Sequence, residues 1–150
     1  MRARREIRFT VERLSPLPAE EAWRRVTDWE RHTAYVPLTT VAVTTPPPTG
    51  PGTRVVARTG RGPVAFTDPM EVVEWRPAAP TAPGLCRIVK RGRVLGGRVA
   101  VEVHPDAAGS RVVWTAALHL RALPAALAPP ATLVARRLYG RLVDGLLGAP

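Results

Sequence analysis

The sequence predicts an α+β fold in which antiparallel strands carry one long helix, contributed by the C-terminal end of the chain, on a single face. Three observations predict it. Residues 129–147 place Ala131, Val134, Ala135, Leu138, Tyr139, Leu142, Val143 and Leu146 on one side of a helical wheel and Arg136, Arg137, Arg141 and Asp144 on the other. Most of residues 38–120 is β-branched or alternates in polarity, so it reads as strands. Between a first strand and this run stand two short helical stretches. A helix with so broad an apolar face needs a sheet to lie on, and this order segregates it to one side.

In chain order, residues 6–14 alternate, with Ile7, Phe9 and Val11 opposed to Glu6, Arg8, Thr10 and Glu12, as in a strand buried on one side. Ser15-Pro16-Leu17-Pro18 breaks it. Pro18 suits a first helical position, Glu20 and Glu21 complement the helix dipole, and Ala19, Ala22, Trp23 and Val26 form an apolar side. Thr27 and Glu30 have capping-box spacing and predict a second short helix carrying Trp29, His32 and Thr33 toward Tyr35 and Val36. Residues 38–45 and 53–59 read as strands separated by a Pro-rich loop. In residues 64–76, Phe66, Asp68, Met70 and Val72 share one parity. Pro69 implies an edge or a bulge, after which Val73 and Trp75 would face the core. Residues 85–90 form a strand of ambiguous facing. Residues 98–104 and 111–120 form a hairpin with Val99, Val101, Val103, Val112, Trp114, Ala116, Leu118 and Leu120 inward. Leu123 and Leu127 are expected to cover one end of the sheet. Pro129 and Pro130 start the long helix, and Gly148 and Pro150 stop it.

A chain of 150 residues without internal repeats is expected to be one domain, residues 1–150, burying roughly two-thirds of the surface its unfolded form exposes. The basic stretch 1–8 is not expected to be a secretory signal, and no apolar run reaches the ~18 residues that a membrane span needs. The expected location is the cytoplasm. Its one cysteine, Cys86, excludes an intrachain disulfide and a cysteine-based zinc cluster, and is expected to be a small core residue. The three histidines lack metal-ligand spacing, and no phosphate-cradling or dinucleotide fingerprint is present, so no metal and no cofactor are expected. The net charge of +10 invites a nucleic-acid partner, but the arginines are scattered. The densest groups are Arg2, Arg4, Arg5 and Arg8 at the terminus, and Lys90, Arg91 and Arg93 at a turn; neither is interleaved with aromatic residues that stack bases. A solvated basic surface is the simpler reading. The oligomeric state is not legible.

The order of elements, and the stretches Ser15-Pro16, Pro18 to Trp23, Thr27-Asp28-Trp29-Glu30-Arg31-His32, Gly52-Thr53, Met70-Glu71-Val72-Val73-Glu74-Trp75-Arg76-Pro77 and the Trp114 strand, resemble the START/Bet v 1-like (SRPBCC) superfamily. The resemblance is greatest to its polyketide cyclase/dehydrase and lipid-transport group and spans nearly the whole chain. It implies a helix-grip fold, a curved antiparallel sheet wrapped around the C-terminal helix, with a cavity between them for a hydrophobic or aromatic small molecule. Because the superfamily mixes carriers, hormone binders, cyclases and hydratases, the fold leaves function open. The first expectation is a carrier or binding protein for a lipid- or polyketide-like molecule, and the second a polyketide cyclase or dehydratase-type enzyme. Protein or nucleic-acid binding through the basic surface is a minor third.

Asp68 is the best catalytic candidate, since its parity directs a carboxylate inward, where burial makes a useful acid or base; the alternative is a carboxylate paired with an arginine. Tyr35, Phe66, Met70, Trp114, Leu138, Tyr139 and His32 are the candidate ligand-binding residues. Tyr35 and His32 would stand at an entrance, with a packing tyrosine and a surface histidine as the alternatives. The scattered charge leads to an expected outcome. Any DNA or RNA binding will be weak, indifferent to sequence and lost steeply with salt in a filter-binding titration; tight, sequence-dependent binding would contradict it.

Overall fold

The computed structural model describes residues 6–148, so the basic group Arg2, Arg4 and Arg5, and the stop at Pro150, lie outside the described residues. Seven strands, β1 (Glu6–Ser15), β2 (Thr39–Val43), β3 (Arg54–Thr59), β4 (Phe66–Arg76), β5 (Gly84–Arg91), β6 (Leu95–Asp106) and β7 (Gly109–Leu120), form one sheet. Its order is β1-β7-β6-β5-β4-β3-β2 and every neighbouring pair is antiparallel. Helices α1 (Ala19–Val26) and α2 (Ala128–Gly148) and short 3-10 segments, among them Trp29–Ala34, complete the chain. The sheet curls around α2, which is the helix-grip arrangement.

The alternating residues explain which face is covered. Ile7, Phe9 and Val11 of β1, Val99, Val101 and Val103 of β6, and Val112, Trp114, Ala116 and Leu118 of β7 are all buried. They meet Leu142, Val143 and Leu146 of α2 and Ala22, Trp23 and Val26 of α1 in one core. Cys86 is completely buried there, and burial pushes its thiol up to about 12, so it is an inert core residue.

Four local expectations are corrected. The capping box does not form: the Thr27 hydroxyl donates back to the Trp23 carbonyl (2.7 Å), Glu30 accepts from the Val43 N–H (3.5 Å), and the segment coils as a 3-10 helix. The bulge in β4 falls between Val72 and Glu74 and not at Pro69. Pro69 instead takes the edge alternative: β4 is paired there only to β3, the pairing with β5 beginning at Met70. The bulge turns Val73 out to solvent and Trp75 in against Trp23, with ring centroids 5.0 Å apart. Finally, the buried stripe of α2 is shorter than the wheel implies. Gly140, Leu142, Val143 and Leu146 are buried, Ala131 and Ala135 are half-buried, and Val134 is exposed, as is Leu127 just before the helix.

The C-terminal half of α2 therefore bears the packing. Leu146→Ala is expected to cost roughly 2–5 kcal/mol in denaturant unfolding, as a truncation in a filled core. Arg137→Ala on the exposed face is expected to stay within about 0.5 kcal/mol of the parent.

Candidate functional site

Where α2 leaves the sheet, a cavity of about 280 Å³ remains. Its wall is apolar over most of its area: Val41 of β2, Val55 and Ala57 of β3, Phe66 and Met70 of β4, Ile88 of β5, Leu95 and Val99 of β6, Trp114 of β7, and Leu138, Tyr139 and Leu142 of α2. Trp29, His32, Val36 and Pro37 close the side of the 3-10 segment.

Two charged side chains stand in this wall. Asp68 faces inward, as its parity with Met70 and Val72 requires, and sits opposite Ala57 of β3 in the register. Its partner is Lys90, whose ammonium nitrogen lies 2.5 Å from Asp68 Oδ2 and 3.2 Å from the Met70 sulfur. Both side chains are less than a tenth exposed. Burial raises the Asp68 carboxyl above the usual range, with the lysine opposing the rise. Burial alone would pull Lys90 toward neutrality, but the Asp68 carboxylate hydrogen-bonded to it opposes that and holds the ammonium charged. Asp68 Oδ1 is buried without a hydrogen-bond partner, and two of the three ammonium donors are used.

Lys90 is the functional candidate that sequence reasoning misses, because it stands with Arg91 and Arg93 where a turn is expected. Two signals mark it. Cys86, Ile88 and Lys90 alternate against Arg87 and Arg91, which places the lysine on the inner face. It is also the only lysine in a chain that otherwise uses arginine. A compact ammonium on a flexible stem fits a carboxylate in a closed wall, where a planar guanidinium needs room for five donors.

A row of rings crosses the site. Ring centroids lie 5.4 Å apart from Trp29 to His32, 5.9 Å from His32 to Trp114, 5.6 Å from Trp114 to Tyr139 and 5.1 Å from Tyr139 to Phe9. His32 is buried rather than superficial, with Nε2 3.1 Å from the Val26 carbonyl. A carbonyl only accepts, so Nε2 carries the proton and Nδ1 is left as an acceptor. Burial lowers the His32 pKa to about 4, against the smaller opposing effect of that hydrogen bond. The indole N–H groups of Trp29 and Trp114 are buried without partners.

Of the residues singled out in the sequence, Asp68, Phe66, Met70, Trp114, Leu138, Tyr139 and His32 come together around the cavity. Tyr35 does not. Its ring lies against Gly145 of α2, where even a methyl group would collide with it, and it borders a separate surface groove with Leu38 and Gly60. Among the described residues, no three His, Cys, Asp or Glu side chains converge on a metal position, and no helix is long and apolar enough to cross a membrane.

The chain matches, over residues 6–149, the family described as polyketide cyclase / dehydrase and lipid transport. No curated protein sequence matches it. Solved structures of similar fold include TTHA0849 from Thermus thermophilus, at 19% identity and a TM-score of 0.71 over 95% of this chain and 94% of that one. The Zhui aromatase/cyclase from Streptomyces sp. R1128 is 16% identical, with a TM-score of 0.60 over 95% and 91%. The human StarD13 lipid transfer and protein localization domain is 12% identical, with a TM-score of 0.67 over 93% and 75%. At these identities the likeness is one of fold.

The buried histidine makes a pH prediction with a definite sign. In the unfolded chain His32 takes a proton near pH 6.5, and in the folded chain only near pH 4, so stability is present above pH 6.5 and falls through that window, by up to about 3 kcal/mol. Asp68, raised by folding, acts in the opposite sense, and Glu21, lowered to about 2 by its hydrogen bonds to Arg24 and Arg25, acts below pH 4.5. His32→Gln is therefore expected to flatten the dependence of chemical-denaturation midpoints on pH between 6.5 and 4 and to leave the lower limb unchanged.

Proposed function

Since the chain belongs to the polyketide cyclase/dehydrase and lipid transport family, we propose that it binds a hydrophobic small molecule in the cavity between sheet and α2, as a carrier or binding protein. The observation that carries this reading is the apolar cavity with one ion pair in its wall. Small-molecule sites have this form, mostly apolar with a few polar groups that orient the ligand. The volume of about 280 Å³ falls just below the ~300–1,000 Å³ usual for such sites, which suits a compact ring system or a short acyl chain more than a two-chain lipid.

The polar groups add a chemical preference. For stability alone, a buried ion pair is dispensable, because apolar residues of similar volume serve as well or better. Here the pair keeps an unpartnered carboxylate oxygen beside an unused ammonium donor. An acceptor next to a donor complements a hydroxyl group, which gives one hydrogen bond and receives one. A mostly apolar ligand with one hydroxyl or enol oxygen directed at Lys90 and Asp68 is the reading we adopt.

One observation favours a second reading, a cyclase or dehydratase-type enzyme. A carboxyl group raised by burial and set beside an ammonium group can move a proton at a bound carbonyl compound, and cavity shape supplies the proximity that ring closure needs. Asp68→Leu/Lys90→Met separates the readings: a carrier keeps its affinity for the apolar part of the ligand, whereas an enzyme still binds that part and loses turnover by orders of magnitude.

Tryptophan quenching by 2-naphthol and by naphthalene tests the binding proposal, since Trp29 and Trp114 line the cavity. The parent is expected to bind both and to prefer the hydroxylated ring about tenfold, the worth of one charge-assisted hydrogen bond. Asp68→Leu/Lys90→Met, which removes the pair without stranding a charge, is expected to keep naphthalene and lose the preference. Ala57→Phe, which fills the cavity, is expected to lose both probes while the thermal unfolding midpoint holds. Absence of quenching in the parent would refute the cavity as a site.

A further inference from the structure

The strand register gathers four connections at one end of the sheet. Thr39 pairs with Thr59, Thr59 with Phe66, and Leu95 with Leu120. The chain before β2, the β3–β4 and β5–β6 turns, and the passage from β7 into α2 therefore lie together. The cavity reaches this end through Pro37, Thr59, Phe66 and Leu95.

Large apolar side chains are exposed here in unusual concentration. Leu38, Val64, Val94 and Leu127 are on the connections, and Leu133 and Val134 are on the first turns of α2, with exposures from 37% to 81%. Single exposed apolar residues need no explanation, but a group at one end of a molecule does. Leu38 is also held at φ 55°, its carbonyl accepting the Gly60 N–H at 2.9 Å. That left-handed conformation suits glycine or asparagine, so an exposed leucine there carries both backbone strain and an unfavourable contact with water.

The charge of this end is mainly positive: Glu6, at the start of β1 opposite His119, is paired with Arg8, and the connections themselves carry arginine alone. Residues 35–38, 60–65, 91–95 and 121–138 contain Arg61, Arg91, Arg93, Arg121, Arg136 and Arg137 and no Asp or Glu. Of these, Arg91 is shared with Glu71 of β4 and Arg121 is also engaged, which leaves Arg61, Arg93, Arg136 and Arg137 as the main cationic set. Other acids are found toward the opposite end, at Glu20 and Glu21 on α1, at Asp28 and at the Asp106 hairpin. Apolar tips interleaved with a surplus of arginine fit an anionic lipid surface, whose acyl boundary accepts the first and whose phosphates accept the second. A nucleic acid would leave the apolar tips without partners, and no aromatic side chain is exposed among them for base stacking.

We propose that this end of the molecule docks on an anionic lipid bilayer, with Leu38, Val64, Leu127 and Leu133 entering the headgroup layer and the arginines meeting lipid phosphate, so that the cavity faces the membrane. The inference stands on the surface and does not require the ligand proposed above.

Co-sedimentation with vesicles of phosphatidylcholine, alone or with a third of phosphatidylglycerol, tests it. Binding is expected only to the anionic vesicles and is expected to weaken as salt rises. Arg93→Glu/Arg137→Glu is expected to lose affinity at least tenfold, at about fivefold for each arginine near the surface. Leu38→Asp/Val64→Asp is expected to lose it comparably. Arg54→Glu/Arg76→Glu, an equal charge change toward the opposite end, is expected to keep the parental affinity. Circular dichroism melts establish that each variant is folded. No binding to anionic vesicles, equal loss in the Arg54/Arg76 variant, or binding to polyuridylate RNA in place of vesicles would overturn the proposal. Naphthalene quenching in the same variants reports the cavity separately.

Discussion

A straight helix cannot follow a curled sheet along its whole length, and this mismatch governs the molecule. The 21 residues of α2 span about 31 Å, yet only the stretch from Gly140 onward is sunk in the core. There Leu142, Val143 and Leu146 interlock with α1 and the first strand, and the contact is dense enough to hold the helix at one end. Toward its N-terminus the helix stands away from β3, β4 and β5, and Leu138 and Tyr139 look across a gap instead of into a neighbour. The cavity is thus a consequence of backbone shape, and its walls are the ordinary inward-facing residues of a sheet.

Such a gap is costly to leave empty, because the atoms that border it lose contacts on one side. The molecule adds a second cost by placing Asp68 and Lys90 in the border. An ion pair taken out of water must recover its hydration through close geometry, and this pair does so on one carboxylate oxygen only. The indole N–H groups of Trp29 and Trp114 are likewise left unsatisfied. Stability is arranged elsewhere, in the β6–β7 hairpin, β1 and the C-terminal turns of α2, where valine faces valine. The ion pair stands on β4 and β5, while the helix is anchored mainly against β1 and α1.

This division sets what the sequence reveals. The packing is written in simple periods: Ile7, Phe9 and Val11 alternate, as do Val99, Val101 and Val103, and the long helix repeats at its own pitch, so the strands and their buried face can be read directly. The inward direction of Asp68 is legible for the same reason. Its partner is not, because a lysine between arginines looks like a solvated turn until the strand continues through it. His32 is obscured by the unformed capping box, since a 3-10 coil turns a different side of the segment inward than an α-helix does. The bulge at Val73 leaves no mark in composition; the proline four residues earlier is the louder signal and sits where the missing N–H costs nothing. Tyr35 is hard to place because the space that receives it is made by a glycine more than a hundred residues away.

That glycine ties two distant positions together. The Tyr35 ring occupies the place where a side chain at position 145 would stand, so the 3-10 segment is keyed into α2 by a projection on one and a notch in the other. Neither residue can change alone without disturbing the fit. Among relatives, an aromatic residue at 35 should therefore accompany glycine at 145, and a side chain at 145 should accompany a small residue at 35. The pair should drift in concert through descent, a correlated substitution whose origin is steric and which would persist whatever molecule each lineage has come to hold.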